Sequence, residues 1–280
     1  MDINPIFDIK NGMDDNSLEM RTFKKTITSF IVARGKLIES KRFSKPPVYI
    51  GGCGRSGTTL LLSILSSHKE IFACPKELNL FFDAELSGDK VEVPMIYRLY
   101  RTFITERIKS TARRYCEKSP ANVQRIEEID KYHKGNFKLI HIIRDGRDVV
   151  LSKHPTRVDA HWVKPKRWVR DVRLGLKFKD HKAVYTIHYE KLVNDFEETI
   201  SGVCRFLDIP ISEEILNWHE HTTVRKNRAL YSPIKEISSS SIGKYKQEEH
   251  QESLREILAN EEAVALLEDL GYEGFNGSMV

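Results

Sequence analysis

The apolar run Val48-Tyr49-Ile50 opens directly onto Gly51-Gly52-Cys53-Gly54-Arg55-Ser56-Gly57-Thr58-Thr59, and that turn leads into the apolar stretch from Leu60 to Leu65. A strand, a glycine-rich turn and a helix starting near Thr58 aim a row of backbone N–H groups and the positive end of a helix dipole at one point. That is an arrangement for an anion. From Gly52 the frame is G-x-x-x-x-G followed by Thr58-Thr59, where a loop that cradles a triphosphate has Lys-Ser or Lys-Thr. The lysine is missing. The nearby cation is Arg55, inside the turn, which suits a nucleotide with a compact 5′ anionic group better than a triphosphate. Taken alone, the same turn would serve as a tight link between strand and helix.

The rest of the chain repeats this alternation. Short apolar runs at 48–51, 71–74, 115–117, 139–143 and 184–189 have the length of buried parallel strands, and helical patterns fall at 58–67, 121–131, 145–153 and 194–206. The prediction is an α/β fold: a three-layer sandwich with a central parallel sheet, helices on both faces and ligands collected at the carboxyl ends of the strands. Residues 17–41 read as the core of an N-terminal helical arm (1–45), 46–280 as one globular unit with it, and 248–270 as a C-terminal helix. No apolar run among the 280 residues approaches the roughly 18 that a membrane helix needs. The first residues lack the basic and apolar regions of a secretory signal, so a cytoplasmic, bacterial protein is expected. Cys53, Cys74, Cys116 and Cys204 show neither metal-ligand nor disulfide spacing and are expected as free thiols.

A second anion site is indicated where the strand at 139–143 runs into Arg144-Asp145-Gly146-Arg147, with Ser152 eight residues after Arg144. A guanidinium matches phosphate oxygens in a planar fork, and a serine hydroxyl a turn or two along can add a donor to the same anion. The tetrapeptide alone would also make a surface turn with an Asp cap. Between the two anion motifs lie Glu77, in Lys76-Glu77-Leu78-Asn79-Leu80-Phe81-Phe82, and Lys118, in Glu117-Lys118-Ser119-Pro120. Each would ordinarily be a solvated charge.

Together these segments resemble the sulfotransferases that use 3′-phosphoadenosine 5′-phosphosulfate (PAPS), in particular the protein-tyrosine and heparan sulfate enzymes, whose fold is P-loop-like. The resemblance implies that Arg55, Ser56, Gly57, Thr58 and Thr59 hold the 5′-phosphosulfate and that Arg144 and Ser152 hold the 3′-phosphate. It further implies that Glu77 is the general base, with Lys118 and Arg55 stabilising the transferring group. Ser240, Ser241 and Lys244, in the late serine run followed by Ile242-Gly243-Lys244-Tyr245, match the family segment that closes over the 3′-phosphate and adenine. Tyr189 matches a tyrosine that borders the nucleotide. No metal is called for. The implied acceptor bears a hydroxyl: a carbohydrate, a tyrosine or a small-molecule alcohol, with an anionic glycan or peptide among the candidates.

The formal net charge of +5 is concentrated in residues 153–182, where ten Lys and Arg face three Asp, with Trp162 and Trp168 interleaved. Such a stretch could cover an anionic or sugar acceptor, or form a solvated helix face with Trp168 in the core; without a nucleic-acid module, nucleic acid is not expected. Two other readings of the whole chain stay open. One is a P-loop kinase, against which the missing lysine and the lack of an obvious lid argue; the other is a polyanion or nucleic-acid binding protein with a degenerate nucleotide site.

Overall fold

The computed structural model describes residues 18–81, 95–153, 161–224 and 239–272. Five parallel strands form one sheet in the order β2-β3-β1-β4-β5: β1 Val48–Gly52, β2 Ile71–Ala73, β3 Arg114–Lys118, β4 Lys138–Ile143 and β5 Val184–His188. All five lie where the apolar runs predict them. β1 is central and buried along its whole length, which is why it reads as continuous apolar sequence and not as an alternation.

Each face of the sheet has its own core. On one, Val48, Ile50, Ile140 and Ile142 pack on α2 (Thr58–Ser67) and α8 (Phe196–Leu207). On the other, Tyr49, Tyr115 and Leu139 meet α3 (Ile96–Thr105) and α4 (Ile126–His133), with α1 (Leu18–Arg42) supplying Ile31, Val32 and Ile38. A third cluster around Trp168 joins the end of β4 to α5 (Gly146–Val150), α6 (Pro165–Leu176), α11 (Gln251–Leu258) and α12 (Glu261–Asp269). Short helices α7 (Tyr189–Asn194), α9 (Glu213–Leu216) and α10 (Trp218–His221) complete the order. None of the described helices is long and apolar enough to cross a membrane, and the four cysteines are buried free thiols.

Several helix boundaries differ from those the sequence predicts. The expected helix at 121–131 is a 3-10 turn, Pro120–Gln124, followed by α4, because Arg125 leaves helical geometry with φ −134°. The segment expected as one helix at 194–206 follows a separate α7, with Asp195 as the break; Tyr189 therefore opens a helix instead of closing a strand. The predicted C-terminal helix at 248–270 is α11 and α12, because Asn260 takes an extended ψ and its side chain caps α12 by accepting the Ala263 N–H. Deep in β4, His141 is fully buried, and neither ring nitrogen has a partner among the described residues. Burial pushes its pKa down to about 3.

Candidate active site

The turn after β1 is built from backbone. Gly57 caps α2 in the left-handed region at φ 94°, and a Cβ there would strike the Tyr189 ring, so only glycine fits both the angle and the space. Arg55 also takes a positive φ, 72°, which turns its side chain outward while its carbonyl faces inward. Ser56 is fully buried, and its hydroxyl has no hydrogen-bond partner among the described residues. Thr58 is buried and Thr59 half-buried in the first turn of α2. An orphaned hydroxyl inside a turn of converging N–H groups fits an oxyanion ligand.

Arg144 leaves the end of β4 and ties the region together. One Nη donates to the Arg55 carbonyl at 3.0 Å and the other to the Ser241 carbonyl, while the guanidinium lies 4.6 Å from the Tyr189 ring centroid. Its Nε is buried with no partner among the described residues. Tyr189 shares a 2.7 Å hydrogen bond with the Ser241 hydroxyl. The structure thus brings Arg55, Arg144, Tyr189 and Ser241 into one cluster, with Ser240 beside it in the chain. Ser152 lies just past α5 and spends its hydroxyl on the Asp148 carbonyl at 3.0 Å. Lys244 is exposed.

Glu77 and Lys118, 41 residues apart, form a direct ion pair. Lys118 ends β3, in register with Ile50 two residues before the Gly52 turn, and its side chain is 1% exposed against 38% for Glu77. The lysine is therefore delivered from the sheet and the carboxylate from the rim. Such a pair can take a proton from a hydroxyl at its open end and stabilise developing negative charge at its closed end.

Three carboxylates that sequence reasoning passed over, Glu117 and Asp148 buried and Glu190 half-buried, support these groups. Asp148 accepts from the backbone N–H groups of Gly243 (2.8 Å) and Tyr245 (3.3 Å), and so pins the late serine segment beside Arg144, whose Nη2 is 3.9 Å away. Glu190 accepts from the Asp145 N–H at 2.9 Å and from the Tyr272 hydroxyl at 3.0 Å, holding the turn that carries Arg144. Glu117 accepts from Leu78 N–H, the Ser119 hydroxyl and the Asn122 amide. Burial pushes the carboxyls of all three up. The one available signal was place in the sequence: Glu117 is next to Lys118, Glu190 is next to Tyr189, and Asp148 lies midway between Arg144 and Ser152.

Four cations of the basic stretch have acidic partners, and one of its tryptophans is core. Trp168 is in the core, with its indole N–H on the Arg144 carbonyl. Arg167 and Arg170 turn to buried Asp171, Lys164 pairs with Glu256 and Arg173 with Glu262. Trp162 borders the phosphate-type turn: a Cβ on Gly54 would lie 3.3 Å from its Nε1.

Comparisons with known proteins fit this geometry. Residues 46–213 match the model of the sulfotransferase family. Protein-tyrosine sulfotransferase A of Caenorhabditis elegans is 26% identical over an alignment of 214 positions that covers 67% of this chain and 56% of that relative, so the chain spans little more than half its length. Among solved structures, the sulfotransferase domain from the Synechococcus PCC 7002 olefin synthase superposes with a TM-score of 0.59 at 19% identity, covering 83% of this chain and 97% of the other. A mouse sulfotransferase complexed with PAP superposes with a TM-score of 0.52 at 14% identity, covering 82% and 90%.

Proposed function

The chain belongs to the sulfotransferase family, and from that premise we propose that it transfers a sulfuryl group from PAPS to an acceptor hydroxyl. The observation that carries this reading is the Glu77–Lys118 ion pair, set one strand away from a phosphate-type turn that has an arginine and no lysine. A sulfuryl donor needs that division of labour. The acceptor proton passes to a Glu77 oxygen as the new O–S bond forms. The bond from sulfur to the 5′-phosphate oxygen breaks, its electron pair stays on that oxygen, and Lys118 and Arg55 meet the charge.

Residues 55–59 would receive the 5′-phosphosulfate, with the buried Ser56 hydroxyl as an available donor. Arg144 and Ser152 would read the 3′-phosphate, and Tyr189, Ser240, Ser241 and Lys244 would border the nucleotide. The PAP-bound mouse structure of the same fold supports the donor, and the protein-tyrosine sulfotransferase relative supports a hydroxyl acceptor: a tyrosine, a sugar or a small alcohol.

Calorimetry with PAPS and with adenosine 5′-phosphosulfate tests the donor. Each charge-assisted hydrogen bond contributes about 1.5–3 kcal/mol, so the nucleotide lacking the 3′-phosphate should bind roughly 10- to 150-fold more weakly. Arg144→Ala should erase that preference. Equal affinities in the unaltered protein, or label that moves from ATP and not from PAPS, would overturn the reading.

A further inference from the structure

We propose that Glu117 is a positioning residue whose task is to hold Glu77 against Lys118 and to lock that pair to the strand carrying the donor turn. The proposal rests on the sulfuryl-transfer reading above. Glu117 and Ser119 flank Lys118 in sequence, and between them they grip the two residues that follow Glu77. One Glu117 oxygen accepts from the Leu78 N–H at 2.9 Å, and the Ser119 hydroxyl accepts from the Asn79 N–H at 3.0 Å while donating to the same Glu117 oxygen at 2.6 Å. Asn79 needs that hold, because it sits at φ 46°. The second Glu117 oxygen accepts from the Asn122 amide at 2.8 Å, and the same amide nitrogen donates to the Ile50 carbonyl at 3.0 Å.

The chain of bonds therefore runs from the backbone beside Glu77, through Glu117 and Asn122, to β1 two residues before Gly52. Each of Glu117's hydrogen-bond partners among the described residues is a donor, so the carboxylate can accept from all of them while a protonated acid would add an O–H with no acceptor among them. Its side chain is fully buried. A buried carboxylate is a costly way to hold a fold together, since an apolar replacement is often neutral or stabilising. Position is what these hydrogen bonds add. A shift of about 1 Å at a reacting group can cost a hundredfold in rate.

The test compares Glu117→Gln alone with Glu117→Gln in a Glu77→Gln background. A glutamine cannot accept from both the Leu78 N–H and the Asn122 amide in their present orientations, so the link to β1 breaks while shape is kept. Alone, the change should lower kcat at least tenfold and leave PAP affinity within threefold. In the Glu77→Gln background it should lower kcat less than twofold further, because the group being positioned is already gone. Hydrogen exchange at the Leu78 and Asn79 amides should rise at least tenfold. The same fold-loss in both backgrounds, or unchanged exchange at both amides, would overturn the proposal. Should Glu117→Gln fail to fold, Ser119→Ala removes the Asn79 acceptor and is held to the same two readouts. If the unaltered protein transferred no sulfuryl group, the fault would lie with the functional reading, and exchange would still decide whether the clamp exists.

Discussion

The 52–59 turn and the 74–81 loop both leave the carboxyl ends of strands in one sheet, and they are held in opposite ways. The first is shaped by its own backbone, through left-handed Gly57 and Arg55 and the start of α2. The second has no such local device beyond Asn79, and takes its shape from Glu117 near the end of β3, Ser119 just after it and Arg98 of α3, which donates to the Leu78 carbonyl. A turn shaped mainly by its own backbone is damaged chiefly from within, although Arg144 also braces it through the Arg55 carbonyl. A loop specified from outside can be displaced by a change about 40 residues away in sequence.

The sharpest way to separate them is Glu77→Gln. It should cut kcat by about 10²–10⁴-fold, the scale of a lost general base, and leave nucleotide affinity nearly unchanged. The defect should shrink with an acidic phenol as acceptor, which arrives partly ionised. Full activity on a poorly acidic alcohol would mean that the 74–81 loop carries no chemistry.

Gly57→Ala should do the reverse. A Cβ at φ 94° against the Tyr189 ring costs on the order of 1–3 kcal/mol in strain alone, so PAP affinity should fall roughly 10- to 100-fold. Amide exchange at Leu78 and Asn79 should stay as it was. If those amides also loosened, the two loops would be one unit and the contrast would fail.

The smallest effect, mild acidification, should touch the shared scaffold and neither loop selectively. Burial holds His141 at about 3 and His133 at about 4, below the ordinary 6.5, so the fold favours their neutral forms. Their contribution is present above pH 6.5 and is lost as pH falls toward those values. The raised carboxyls of Glu117, Asp148 and Glu190 act in the opposite sense. Urea midpoints at pH 7, 6 and 5 should therefore fall less steeply in His141→Leu than in the unaltered protein; parallel slopes would show that His141 is not an acid-sensitive group of the sheet.

The same contrast explains what could be read in advance. The strands and the 52–59 turn were legible because apolar runs and glycine spacing are local signals. Arg144 and Tyr189 were legible as candidate residues, but their convergence on Ser241, 97 and 52 positions along the chain respectively, carries no local signal. Helix ends were misplaced where one residue decides: Arg125 breaks a run that stays amphipathic across it, and Asn260 ahead of Glu261 and Glu262 is a cap signature hidden inside a helical pattern. Glu117 looked like a flank of Lys118 because a buried acid announces itself only once its donors, Asn122 among them, are in place.

The bonds from Arg144 and Asp148 to the 241–245 segment also impose an order on synthesis. At roughly 5–20 residues per second, the 97 residues that separate Arg144 from Ser241 take on the order of 5–20 s to be made. Before that interval closes the sheet's five strands have all been made, while the guanidinium still lacks its Ser241 partner and the Asp148 carboxylate its Gly243 and Tyr245 partners. Tyr272, which steadies Glu190, comes later still. A nascent chain can therefore form the sheet and the clusters on its two faces before residues 241–245 reach Arg144 and Asp148, so the proposed donor site is complete only after that segment has been made.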